Sequence, residues 1–249
     1  MGKAMNPDLP EQGRAHAASP AGQVALRGLC AVTLDDMLLP RLSALVKAAL
    51  DGGAPFVQYR NKIAPRALRR AQAAEMLRIC RAAGARLIIN DDVWLAVEIG
   101  ADGAHLGRGD APGGSLTAAR DALGPKRILG VSCYNELALG EEAARAGADY
   151  IAFGSMFPSR TKPGAVRAPL ELLGEAKRRF GLPVAAIGGI TPDNAPQLID
   201  AGADMLAVVS DLFDAMDIKT RAESYQRLFA PAYKKRKAGE PNPGGAKRH

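Results

Sequence analysis

The chain has 249 residues, of which 47% are hydrophobic and only 5% aromatic, and a formal net charge of +7. That length is enough to bury a full core and suits an α/β barrel built as one domain. So few aromatic rings argue against stacking platforms for bases or cages for quaternary amines. No apolar run reaches the length needed to cross a bilayer, and the first residues lack the apolar centre of a secretory signal. The expectation is a cytoplasmic protein with no membrane partner.

Much of the charge is local. Residues 234–249 carry Lys234, Lys235, Arg236, Lys237, Lys247 and Arg248 against Glu240, so five of the seven net positive charges sit in this stretch. It is also rich in Gly and Pro and has little to bury, which predicts a disordered basic tail. Weak attraction to nucleic acid or to an anionic membrane is the competing reading, and nucleic acid is not the expected partner. Residues 1–21 are polar and aperiodic, so the expected division is a flexible extension (1–21), a catalytic barrel domain (22–233) and the tail (234–249). Cys30, Cys80 and Cys133 are odd in number and lack metal-ligand spacing, as befits a reducing compartment. A homo-oligomer is left open.

Within the barrel domain, short apolar runs alternate with amphipathic segments. A strand at 29–33 precedes a helical pattern at 42–50. The next strand, 56–59, leads into Gln58, Arg60 and Lys62, which alternation places on one side of an extended segment. An amide and two cations on one face suit a polyanion such as diphosphate; the alternative is an exposed basic loop. After a helix at 67–82, the strand 87–89 ends in Asn90 and Asp91. A short helical segment at 93–99 and a strand at 103–106 follow, with Asp110 just beyond its tip. If these two strands are parallel neighbours about 4.8 Å apart, Asp91 and Asp110 project at one end of a sheet and are candidates to share a hard cation. His105, on the later strand, is expected to be a satisfied core histidine.

The strand at 128–132 ends at Ser132, read as a hydrogen-bond donor to an anion, with an N-cap of the following helix (137–146) as its rival. No Ser-His-Asp arrangement makes it a nucleophile. The strand 150–153 runs into a loop, 154–164, that carries Ser159, Arg160, Thr161 and Lys162 between Pro158 and Pro163; it reads as a lid that brings Lys162 over a phosphate. A helix at 170–180 and strands at 184–187 and 205–209 complete the set, with Gly188, Gly189, Ile190 and Thr191 after one strand and Val209, Ser210 and Asp211 at the other. Backbone amides there form a recurrent barrel phosphate cradle.

Eight strands alternating with helices predict a single (β/α)8 TIM barrel. A Gly-Ala-Asp triplet recurs at residues 100, 147 and 202, each closing a helix and opening a strand. These Asp residues precede their strands and are therefore structural, on the face opposite the reactive one. The mouth then holds two anion sites, one metal-assisted and one of backbone amides. No strong nucleophile lies between them, which points to transfer between two phosphorylated substrates with loss of diphosphate.

The order and spacing of Gln58 to Lys62, Ile89-Asn90-Asp91, residues 103–110, Gly130-Val131-Ser132, Thr161-Lys162-Pro163, residues 186–191 and Val208-Val209-Ser210 resemble the thiamine phosphate synthase (thiamine-phosphate pyrophosphorylase) family over about residues 29–213. The resemblance implies condensation of a hydroxymethylpyrimidine diphosphate with a thiazole ethyl phosphate, giving thiamine monophosphate and pyrophosphate. It implies that Gln58, Arg60, Lys62, Asn90, Ser132 and Lys162 bind the pyrimidine diphosphate and that Asp91 and Asp110 hold Mg²⁺. Ser159, Thr161, Gly189, Val209 and Ser210 would bind the thiazole phosphate. Arg60, Lys62, Ser132 and Lys162 would assist dissociative departure of diphosphate. Two features depart from the family pattern: Ser159 stands where Thr is more usual, and Gly109 where an acid is, which would lower affinity for Mg²⁺. Two other readings are a thiazole tautomerase-like isomerase of the same fold, which uses a histidine where this chain has Cys133-Tyr134-Asn135, and a non-catalytic phosphate-binding barrel.

Overall fold

A computed structural model of the protein describes residues 25–158, 164 and 166–230; both expected terminal extensions lie outside the described residues. Strands and helices alternate: β1 (Gly28–Val32), α1 (Leu39–Asp51), β2 (Phe56–Tyr59), α2 (Arg66–Ala82), β3 (Arg86–Asn90), α3 (Val93–Ile99), β4 (Gly103–Leu106), α4 (Leu116–Leu123), β5 (Ile128–Tyr134), α5 (Leu137–Arg145), β6 (Tyr150–Phe153), α6 (Glu171–Phe180), β7 (Val184–Ile187), α7 (Ala195–Asp200), β8 (Met205–Val208), α8 (Ser210–Phe213) and α9 (Ile218–Leu228). The strands are parallel and close in chain order, β1 pairing with both β2 and β8. The expected TIM barrel is the observed fold.

The period-two alternation of each strand divides the core in two. Leu29, Ala31, Val57, Leu87 and Ile89 face outward and pack with Leu42, Val46, Met76 and Leu173 of the helices. Cys30, Val32, Phe56, Ile88, Ile128, Tyr150 and Met205 fill the barrel interior together with the small Ala152, Ala185 and Ala207. Strands buried on both faces read as continuous apolar runs, which is why their positions were legible. All three cysteines are buried and free.

The Gly-Ala-Asp triplets act as expected on the lower face. Gly100, Gly147 and Gly202 have positive φ, which ends each helix without the steric cost a side chain would bring. Each following Asp then reaches one strand back. Asp102 accepts from the Leu87 amide at 2.8 Å, Asp149 from Leu129 at 2.7 Å and Asp204 from Val184 at 3.0 Å. Asp204 also pairs with Lys177 at 2.6 Å. Losing one such acceptor strands a strand-opening amide. Asp204→Ala is expected to cost about 1–3 kcal/mol, lowering Tm by several degrees while leaving turnover intact, since this face is remote from the mouth. An unchanged Tm in a thermal melt would refute the pinning role.

Two details differ from the sequence expectation. Strand β5 continues past Ser132 to Tyr134, with a register irregularity between these residues against β6. Ser132 therefore lies within the strand and does not cap α5, whose N-cap is Glu136. Helix α9, absent from the sequence reading, packs on α1 and β1 through Ile218, Ala222, Tyr225 and Leu228.

Candidate active site

At the upper end of β2 alternation carries through into the loop. Tyr59 and Asn61 turn toward α2, where both meet Gln72 Oε1, at 2.8 and 2.9 Å, and Asn61 and Gln72 each donate to the Asp36 carbonyl. This buried network clamps the loop, so its other side is presented to the mouth. Gln58 Nε2 donates to Asn90 Oδ1 at 2.7 Å, tying β2 to β3. Arg60 exchanges two bonds with the Thr33 hydroxyl, through its amide and its carbonyl, both 2.8 Å, and its guanidinium reaches Asp35 at 3.1 Å. Lys62 Nζ stands 3.1 Å from Asp91. Thr33 and Asp35, at the end of β1, support the cation pair and were not singled out from sequence; Asp35 follows a strand end by three residues, which was the available signal.

The two metal-candidate acids converge. Asp91 directly follows β3 in a left-handed conformation, φ 66°, which Asp tolerates better than most residues. Its amide donates to the His105 carbonyl of β4 at 2.8 Å. Asp110 lies four residues beyond β4, and the loop folds it back so that its carboxylate accepts from the Gly107 amide at 2.8 Å. A Cβ on Gly107 would stand 2.9 Å from that carboxylate oxygen, so a larger residue there would displace the Asp110 side chain. Gly109 has φ 85°, which gives it a conformational reason where an acid would be strained.

Asp110 and Asp91 lie within hydrogen-bond reach of each other. Burial raises the Asp110 carboxyl above its ordinary range, the Gly107 amide offsets part of this, and the neighbouring Asp91 adds to the rise. Among the described residues Lys62 is the cation that acts on this carboxylate pair, and a divalent cation would add positive charge there. Among the described residues no group of three or more His, Cys, Asp or Glu could hold a metal. Two carboxylates are nevertheless a donor set that fits Mg²⁺, which commonly takes one or two protein carboxylates and completes its shell with water and phosphate oxygens.

Ser132, half-buried on β5, meets His105 Nε2 at 2.8 Å, and His105 Nδ1 meets the Tyr150 hydroxyl at 2.9 Å. His105 is thus the buried, satisfied histidine expected. Burial pushes it down to about 4, against the opposing pull of Asp91.

On the far side of the mouth, Gly188 and Gly189 have φ of 103° and 62°. A Cβ on Gly189 would come within 2.3 Å of the Pro158 carbonyl, so this turn packs tightly against the start of the loop after β6. Asn194 holds the turn by donating to the Gly189 carbonyl and accepting from the Thr191 amide. Val209 and Ser210 open α8, which Asp211 anchors to α9 through Tyr225 at 2.6 Å and Arg221 at 3.1 Å. The barrel therefore brings Gln58, Arg60, Lys62, Asn90, Asp91, Asp110 and Ser132 to one side of the mouth. It brings Gly189, Val209 and Ser210 to the other. Ser159, Thr161 and Lys162 lie outside the described residues. No helix among the described residues is long and apolar enough to cross a membrane.

Residues 29–212 match the family model described as thiamine monophosphate synthase. The chain is 54% identical over 205 residues to the thiamine-phosphate synthase of Azoarcus sp. (strain BH72), covering 82% of this chain and 98% of that protein. It is 54% identical over 203 residues to that of Thiobacillus denitrificans (strain ATCC 25259 / T1), covering 82% and 95%. The solved thiamine phosphate pyrophosphorylase from Pyrococcus furiosus superposes with a TM-score of 0.72 at 32% identity, covering 82% of this chain and 95% of that one. With the family match running from β1 into α8, through all eight strands, the chain belongs to the thiamine monophosphate synthase family of enzymes.

Proposed function

We propose that the enzyme joins 4-amino-2-methyl-5-(diphosphooxymethyl)pyrimidine to a thiazole ethyl phosphate, releasing pyrophosphate and forming thiamine monophosphate. The observation that supports this most is the convergence of Arg60, Lys62, Asn90, Ser132 and the Asp91–Asp110 pair at one side of the mouth, opposite the glycine turn and the start of α8. One side offers two cations, the Asn90 amide and the Ser132 hydroxyl for a diphosphate. The other offers backbone amides for a monophosphate.

Asp91 and Asp110 would hold Mg²⁺, whose chemistry there is to neutralise charge that develops on a departing diphosphate. Arg60 and Lys62 bind and orient the diphosphate and stabilise its charge as the carbon–oxygen bond breaks. Asn90, fixed by Gln58, and Ser132, fixed by His105, position the same substrate. The aminopyrimidine itself delocalises the resulting carbocation, and the thiazole nitrogen captures it. Catalysis in this reading is electrostatic and positional. Lys162 belongs to the same proposal as a lid cation.

The test is the purified protein with the pyrimidine diphosphate, the thiazole phosphate and Mg²⁺. Thiamine phosphate and pyrophosphate should appear in equal amounts, and neither should form when one substrate is omitted. Isomerisation of a thiazole without pyrophosphate release would instead identify a tautomerase.

A further inference from the structure

Beneath Ser132 lie two linked polar groups, His105 and Tyr150, that the reaction does not touch. Tyr150 is 2% exposed and His105 7%, and their rings stack with centroids 5.5 Å apart and planes inclined at 27°. Tyr150 projects into the barrel interior across Gly130, where a Cβ would stand 2.1 Å from the Tyr150 Cζ. The phenol is thus lodged in a slot that only glycine provides. Its hydroxyl lies 2.9 Å from His105 Nδ1, and His105 Nε2 lies 2.8 Å from Ser132 Oγ.

A neutral imidazole between two hydroxyls has two proton arrangements. In one, Nδ1 carries the proton and donates to Tyr150, while Ser132 donates to Nε2. The phenol hydrogen then needs another acceptor, and among the described residues the Tyr150 hydroxyl has no partner besides Nδ1. A buried donor is left unmet, a costly state. In the other arrangement Tyr150 donates to Nδ1, and Nε2–H donates to Ser132 Oγ. Every buried hydrogen is then used, and the one hydrogen left over belongs to Ser132, on the mouth side of the chain.

We propose that Tyr150 is a positioning residue that locks His105 in its Nε2–H tautomer and so makes Ser132 a committed hydrogen-bond donor toward an anionic ligand. The consequence for turnover rests on the diphosphate-binding reading of Ser132; the tautomer itself does not. With the Ser132 oxygen held from behind, its hydroxyl hydrogen cannot be drawn into the protein. It meets the ligand's oxygen without reorganisation, as a preorganised donor should.

Two measurements test this on the full chain. In ¹⁵N spectra of uniformly labelled protein, His105 is one of only three histidines, and the others, His16 and His249, are assigned by replacing each with Ala. His105 should show a protonated Nε2 and a bare Nδ1, and Tyr150→Phe should raise the Nδ1-protonated form. A wild-type ring that is Nδ1-protonated or doubly protonated overturns the proposal, whatever the substrate proves to be. Kinetically, Tyr150→Phe should lower kcat about 10-fold and KM little, yet have under about a 2-fold effect in a Ser132→Ala background, the coupling expected of one linked chain. Equal losses in both backgrounds would make Tyr150 a packing residue and overturn its positioning role. If the tautomer is as stated but no thiamine phosphate forms with any variant, the functional reading fails and the tautomer lock stands.

Discussion

Asp91→Asn is expected to lower turnover by about 10²–10³-fold, because it removes one of the two carboxylates available for a divalent cation. Neutralising charge on a departing diphosphate supplies several kcal/mol in such sites, and each 1.36 kcal/mol is tenfold in rate. Asn is the informative replacement. Asp91 adopts φ 66°, and Asn tolerates this left-handed conformation, whereas Ala would add backbone strain of its own. The variant also relieves repulsion with Asp110, whose carboxyl is already raised by burial and by Asp91. Thermal stability without metal should therefore be unchanged or slightly higher. Higher Mg²⁺ should recover part of the lost rate. Turnover within about 3-fold of the parent at saturating substrate, a loss well under 1 kcal/mol, would remove Asp91 from the metal proposal. So would full activity of the parent protein after verified removal of divalent ions.

Arg60→Met should reduce kcat/KM about 100-fold, the scale of losing one preorganised donor to developing negative charge. The backbone of Arg60 is fixed by its two bonds to Thr33, and one guanidinium nitrogen is fixed by Asp35. Among the described residues its other side-chain donors have no protein partner, so the fork is held ready for an anion. Arg60→Lys should recover only part of the loss, since a point charge cannot reproduce the fork. Because the charge it meets grows as the leaving group departs, kcat should fall more than KM rises. A variant with normal kcat and a greatly raised KM would make Arg60 a ground-state anchor only.

The barrel was legible in the sequence because its strands are buried on both faces and read as short, unbroken apolar runs. The observed Phe56–Tyr59, Gly103–Leu106, Tyr150–Phe153 and Val184–Ile187 coincide with the expected segments. Ends moved where burial did not: β5 runs on through Ser132 to the exposed Tyr134. Helix α9 carried a signal that was not used. Ile218, Ala222, Tyr225 and Leu228 recur at three- and four-residue intervals in an otherwise polar stretch, the apolar stripe of a helix.

The sequence by itself determined the kind of residue at each strand end, because alternation within a strand and the parallel order of strands are local rules. From them came the acids beyond β3 and β4, the cations after β2 and the Asp residues that pin the lower face. Only the tertiary structure decided what those side chains do to one another. Asp35 with Arg60, Gln58 with Asn90, and His105 with both Ser132 and Tyr150 are partners 25 to 45 residues apart. They meet because a closed barrel points alternate residues of all its strands into one interior and gathers its βα loops around one mouth, and no periodicity encodes such a meeting. The slot at Gly130 is the plainest case. Its vacancy acquires meaning only when β6 places Tyr150 across it, 20 residues later in the chain.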